Sequence, residues 1–220
     1  MLDIGANIGI VSLWLSKLAG KTGRVHAFEP SPELYEILAE TIHRNQAFNI
    51  RPHRVALGAR TEQMELRIRR GNTGSGSLIR KDDLGDCTVF SVPVRTLDSI
   101  VAEEQIESIR LIKIDVEGFE AEVFRGGLHV LKSIRPQAIL FEFVEKWQGR
   151  LSDQPVFKIL QEAGYGFFAI PKCRLRMYLE RCNPDGVTSP AITDFLAVRK
   201  DHGFEQIAVA VKARGRPGAV

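Results

Sequence analysis

The amino-acid sequence predicts an α/β protein, a doubly wound and mostly parallel sheet flanked by helices. Three observations carry the prediction. Strand-like and helix-like segments alternate with short punctuation between them, the pattern of successive βαβ units. The apolar "MLDI" runs directly into the glycine-spaced turn "GANIG" (5–9), which reads as a strand-to-helix junction. The segment "IRLIKID" (109–115) opens on a near-continuous apolar run, as strands buried on both faces do.

Each element follows from local signals. "MLDI" (1–4) is the end of a strand. After the glycine turn, Ile8, Val11, Ser12, Leu15, Leu18 and Ala19 recur at helical spacing, and Gly20 with Gly23 closes that helix. "RVHAFEP" (24–30) is a second strand stopped by Pro30. "SPELYEILAETIHRNQ" (31–46) is a helix with Ser31 as N-cap and Pro32 at its first position. "RPHRVAL" (51–57) reads as a third strand.

Residues 61–97 break the rhythm: "TEQMELRIRR" and "CTVFSVPVRTL" read as extended, antiparallel segments around the glycine-rich "GNTGSGSL" (71–78). A helix over 97–105, the strand 109–115, and a helix over 119–134 interrupted at Gly126-Gly127 follow. A strand over 136–143 and a helix over 155–165 ended by Gly164 come next, then "YGFFAI" and "DFLAVRK" as a closing antiparallel pair. Residues 1–200 form one domain, with 201–220 an extension ending in the loose basic tail "ARGRPGAV".

A chain of 220 residues with 44% hydrophobic and 26% charged residues buries a core without staples. A net charge of +3, with no basic run interleaved with aromatics, speaks against a nucleic-acid partner. Cys87, Cys173 and Cys182 are odd in number and show no C-x-x-C spacing, which points to a reducing, cytoplasmic setting without structural zinc. No apolar run approaches the roughly 20 residues needed to span a bilayer.

The chemistry begins at the glycine turn. A helix start after Gly5 and Gly9 offers free backbone N–H groups, and Gly5 permits a tight turn and close ligand approach. Beyond it, the second strand ends in Glu29, where nucleotide-binding α/β folds place an acid on the ribose hydroxyls. A dinucleotide turn requires a second glycine where Asn7 stands. A side chain there crowds a pyrophosphate but suits a phosphate-free adenosine ligand such as S-adenosylmethionine, whose ammonium lies within reach of Asp3 at the strand end. In "KIDVEGFE" (113–120), strand alternation sets Lys113 and Asp115 on one face, with Asp115 at the same crevice. Glu117 and Glu120 flank Gly118, where acids also suit a first helical turn, and Lys113 reads as a neutralising charge.

"LDIGANIG", "AFEPSPE", "GSGSL" and "KIDVEGFE" stand in the order and rough spacing of the FkbM-type methyltransferase family, within the class I S-adenosylmethionine-dependent methyltransferases, which the chain resembles over roughly residues 1–145. The resemblance implies a Rossmann-like, seven-stranded sheet with an antiparallel last strand. It implies methyl transfer to a hydroxyl of a sugar, polyketide or related small molecule. By position, Asp3, Gly5, Ala6, Asn7 and Gly9 line the methionine end of the cofactor. Glu29 holds the ribose with Pro30 and Ser31 beside it, and Val55, Ala56 and Leu57 approach the adenine. Asp115, Glu117 and Glu142 border the acceptor, with Ser75 and Ser77 on a lid over 70–83.

A hydroxyl acceptor calls for a general base, for which Asp115 is the first candidate and Glu117 the second. His26 and His53 sit inside strands and read as structural. A divalent metal on Asp115, Glu117 and Glu142 is the minor variant, against ion-paired or solvated acids. The rival classes are a nicotinamide-dependent oxidoreductase, opposed by Asn7 and by the absence of a Tyr-x-x-x-Lys set, and a catalytically inactive partner module. Relatives carry residues ahead of the glycine turn, so a start inside the first strand implies a truncated N-terminus, with lower stability or homo-oligomerisation expected.

Overall fold

The computed structural model describes residues 1–69, 76–78, 87–143, 150–171, 178–186 and 193–214. The chain starts in the middle of its principal sheet. Strand β1 (Leu2–Ile4) pairs in parallel with β2 (Val25–Phe28), which pairs in parallel with β3 (Ile50–His53). Helix α1 (Ile10–Ala19) makes the first crossover and α2 (Pro32–Arg44) the second. Ser31 caps α2 as its sequence predicts: the Leu34 N–H donates to its hydroxyl at 3.4 Å and Pro32 takes the first turn.

The third strand differs from its prediction. Pairing in the principal sheet ends at His53, and Ala56–Leu57 form a separate strand, β4, in a second sheet. Pro52 has no N–H to give, and β3 accepts it because it is an edge strand. In the second sheet β4 lies beside β7 (Cys87–Arg95), which pairs antiparallel with β5 (Glu62–Arg69), and β6 (Gly76–Ser77) closes the far edge. The predicted antiparallel pairing of this region is what the register shows, from Glu62 opposite Val94 to Arg69 opposite Cys87.

The chain returns through α3 (Leu97–Glu103) to β8 (Leu111–Ile114), on the other side of β1. Helix α4 (Glu120–Arg125), a π-helical turn at Val130–Ile134 and β9 (Ala138–Glu142) follow. The interruption at Gly126 has a physical cause: a Cβ there would lie 2.0 Å from the Gly58 carbonyl oxygen, so α4 ends hard against the second sheet's entry. After α5 (Pro155–Glu162), β10 (Tyr165–Ile170), the short β11 (Glu180–Cys182) and β12 (Asp194–Arg199) complete the sheet.

Its order is β11-β10-β12-β9-β8-β1-β2-β3, with β12 antiparallel to both neighbours. The sheet is therefore the expected seven strands with β11 added at one edge. On one face Phe141, Phe157 and Phe195 interlock, with ring centroids of Phe157 and Phe195 5.0 Å apart. Helix α6 (Phe204–Arg214), unpredicted within the C-terminal extension, seats Phe204 and Ala208 on Phe168 and Val198. The apolar spacing of α1 overstated its burial: Ser12 and Leu15 are buried, whereas Ile8, Val11 and Leu18 are exposed. No helix among the described residues is long and apolar enough to cross a membrane.

Candidate functional site

The strand order reverses between β1 and β8, the switch point at which open α/β sheets hold ligands beyond the carboxyl ends of their strands. A cavity of about 250 Å³ opens there. Of the predicted residues, Gly5, Ala6 and Asn7 line it from the glycine turn and Glu29, Pro30 and Ser31 from the end of β2. Val55, Ala56 and Leu57 line it at the second sheet, and Asp115 and Glu117 after β8.

The turn is shaped by its residues. The N–H groups of Gly5 and Ala6 both donate to the Phe28 carbonyl, at 3.1 and 2.9 Å, tying the turn to β2. Asn7 adopts a left-handed φ of 51°, which Asn tolerates, and its Oδ1 accepts from the Ile8 N–H at 2.8 Å. That geometry turns the Asn7 N–H onto Glu29 Oε2 at 2.9 Å, while the Ser31 N–H donates to Oε1 at 2.9 Å. Glu29 is thus no exposed strand end: it is 6% exposed and held from both sides. Burial pushes its carboxyl above the usual range, and the two backbone N–H bonds oppose that shift.

Three predicted residues do not line the cavity. Asp3 is fully buried beneath the turn, where Ser12 of α1 donates to Oδ2 at 2.5 Å and the Lys113 ammonium lies 3.4 Å from Oδ1. Gly9 is a packing glycine at φ 90°: a Cβ there would meet Leu38 of α2 at 2.7 Å. Glu142, at the end of β9 opposite Asp194, is not part of the wall that Asp115 and Glu117 share. Among the described residues no three His, Cys, Asp or Glu gather as a metal site. Ser75 lies outside the described residues, as does most of the predicted lid, and Ser77 is described only as backbone of β6.

The acids after β8 have separate tasks. Glu120 is buried and accepts from the Val116 and Gly118 N–H groups, both at 3.2 Å, so it holds the turn rather than facing the cavity. Glu117 takes a left-handed φ of 56° beside Gly118 at 97°, which puts it in the cavity wall. Lys113, read from sequence as a neutralising charge, is itself a wall residue, donating to the Gly5 carbonyl at 2.7 Å and lying 3.6 Å from Asp115 Oδ2. Strand alternation had placed Lys113 on Asp115's face. Leu66 and Ile68 of β5, Leu78 just after β6, and Ile8, Ile10 and Val11 of the α1 entry also contribute, and no sequence signal tied them to the site.

His26 and His53 lie outside the cavity wall and face each other, Nδ1 to Nε2 at 3.1 Å. Burial first, then neighbouring positive charge, pushes each down to about 4. A base depressed in the fold contributes stability that is full above its unfolded value near 6.5 and is lost as pH falls toward 4. Buried Asp3, Glu29 and Glu120 are pushed up, so they oppose this trend in the acid range, and wild-type melting alone mixes the two. We expect the pair to account for a loss of about 2 kcal/mol between about pH 8 and about pH 5, after discounting for part-exposure. Thermal melts of His26→Gln/His53→Gln check it: the drop attributable to acid should shrink by that amount, and an unchanged drop would refute it.

Among the described residues the wall carries three carboxylates, Glu29, Asp115 and Glu117, against one ammonium, Lys113. Such a site suits a cationic adenosine ligand and repels a pyrophosphate. An α/β fold with a carboxylate-lined cavity at its switch point is the Rossmann-like fold of the S-adenosylmethionine-dependent methyltransferase class. The Methyltransferase FkbM domain matches residues 3–167, and the chain belongs to that family.

Among relatives, it is 29% identical over 166 residues to the hexuronic acid methyltransferase AglP of Haloferax volcanii, covering 73% of this chain and 61% of that protein. It is 24% identical over 154 residues to the methyltransferase sdnD of Sordaria araneosa, covering 57% of this chain and 59% of that one. The chain thus spans about three fifths of the length of these relatives. The crystal structure of an FkbM methyltransferase from Methylobacillus flagellatus shares the fold, with a TM-score of 0.52 at 18% identity, over 90% of this chain and 42% of that one.

Proposed function

We propose that the chain is an S-adenosylmethionine-dependent O-methyltransferase acting on a hydroxyl of a small-molecule acceptor. The observation that carries the reading is the buried Glu29 carboxylate, fixed by two backbone N–H groups at the end of β2 and facing one cavity with Asp115 and Glu117. The residues present fit this cofactor. Glu29 supplies a charged acceptor for the ribose diol, and the walls at Val55, Ala56 and Leu57 are apolar for the adenine. When bound, S-adenosylmethionine supplies an electrophilic methyl group on a sulfonium. The protein's share is alignment and proton removal. The Asp115 carboxylate takes the proton from the acceptor hydroxyl, and Glu117, on the same wall, orients the acceptor.

Likeness to a hexuronic acid methyltransferase makes a sugar-acid hydroxyl the first acceptor to assay. The test is calorimetric titration with S-adenosylmethionine and, separately, NAD, followed by transfer of labelled methyl to an acceptor panel headed by glucuronic acid derivatives. Binding of S-adenosylmethionine but not NAD is expected, and the reverse would overturn the reading. Asp115→Asn should lower the transfer rate by about 10²–10⁴-fold while cofactor affinity stays within a few-fold. A rate within threefold of wild type would remove Asp115 from the role of base.

A further inference from the structure

We infer that Lys113 binds the carboxylate of the cofactor's amino-acid tail, and the inference rests on the cofactor reading above. Its starting point is the burial of Asp3: that acid is engaged by Ser12 and Lys113 and does not line the cavity, so the Lys113 ammonium is the charge this strand pair presents there. The tail is zwitterionic. Its carboxylate enters a cavity whose other charged wall residues are Glu29, Asp115 and Glu117, all of its own sign. Among the described residues Lys113 is the cation in that wall, and it stands at the glycine turn.

The ammonium is also under-used. It carries three N–H donors, and one meets the Gly5 carbonyl at 2.7 Å. Asp3 Oδ1 at 3.4 Å and Asp115 Oδ2 at 3.6 Å balance its charge from beyond normal hydrogen-bond distance. The Lys113 side chain is only 11% exposed, so water is a poor substitute for a ligand oxygen. A carboxylate presented from the cavity completes its donor set. β1 and β8 hold it in place, since Asp3 and Lys113 are direct partners in the register of the two strands.

The experiment separates tail recognition from general damage to the fold. Removing Lys113 alone strands the buried Asp3 charge, so the comparison is Asp3→Asn/Lys113→Met against Asp3→Asn. Each protein is titrated calorimetrically with S-adenosylmethionine, with its decarboxylated form, and with 5′-methylthioadenosine, which lacks the amino-acid tail. Loss of Lys113 should weaken S-adenosylmethionine about 30-fold and change the other two by less than about threefold. Lys113→Arg, which keeps the charge, should retain the preference for the carboxylated ligand. Equal weakening of all three ligands, or of none, would overturn the inference. Failure of the unchanged chain to bind any of them would instead overturn the cofactor reading, and this inference with it.

Discussion

Glu29→Ala is expected to weaken S-adenosylmethionine binding by at least about 100-fold, with a smaller loss of stability in the free protein. The carboxylate does two jobs at once. It satisfies the Asn7 and Ser31 N–H groups, and it is the charged acceptor proposed for the ribose diol. Hydrogen bonds to a charged group are worth about 1.5–3 kcal/mol each, so losing two costs about 3–6 kcal/mol of binding. Even the low end is a factor of about 100.

The backbone donors left behind add about 1–3 kcal/mol of desolvation cost in the free protein, and the Asn7 turn loses the bond that orients it. Glu29→Gln is the sharper control: it keeps the shape and one acceptor, but turns an NH₂ toward one of two N–H donors. It should fall between wild type and Glu29→Ala in calorimetry. Affinity within threefold of wild type for Glu29→Ala would mean that the acid serves the turn and not the ligand.

How far the sequence reaches can be judged residue by residue. Glu29 was legible because its position depends on short-range features: a glycine turn, one helix and a strand stopped by Pro30. The cap at Ser31 was legible for the same reason. Asp3 was misread because its fate is decided by Ser12, one turn into α1, whose hydroxyl folds back onto it. Strand position alone gives no hint of that. Lys113 was half legible: alternation placed it beside Asp115, but its hydrogen-bond partner Gly5 is 108 residues away.

That β3 tolerates Pro52 depends on its being an edge, a property of the whole sheet order. The apolar wall from Leu66, Ile68 and Leu78 depends on where the second sheet docks. Local chemistry thus specified the end of the cavity at the glycine turn and Glu29, and long-range packing specified the rest.

Gly5→Ala is expected to destabilise the protein by about 4 kcal/mol or more, and Gly20→Ala by about 2 kcal/mol. Both glycines have positive φ, 77° at Gly5 and 70° at Gly20, where ψ is −170°. Both substitutions therefore meet a backbone penalty, about 1–3 kcal/mol. Around Gly20 nothing lies within 4 Å of an added Cβ, so that penalty is the whole effect. At Gly5 the Cβ would sit 1.8 Å from the Asp115 carbonyl oxygen, a contact that cannot exist.

Relief would require one strand end to move, and both are pinned. The Gly5 and Ala6 N–H groups are bound to Phe28, and the Asp115 N–H is bound to the Ile4 carbonyl at 3.0 Å. Overpacking against such a backbone adds about 1–3 kcal/mol, and more where nothing can yield. Urea unfolding of the two variants measures the difference directly, and equal losses would show that close approach at Gly5 is unimportant.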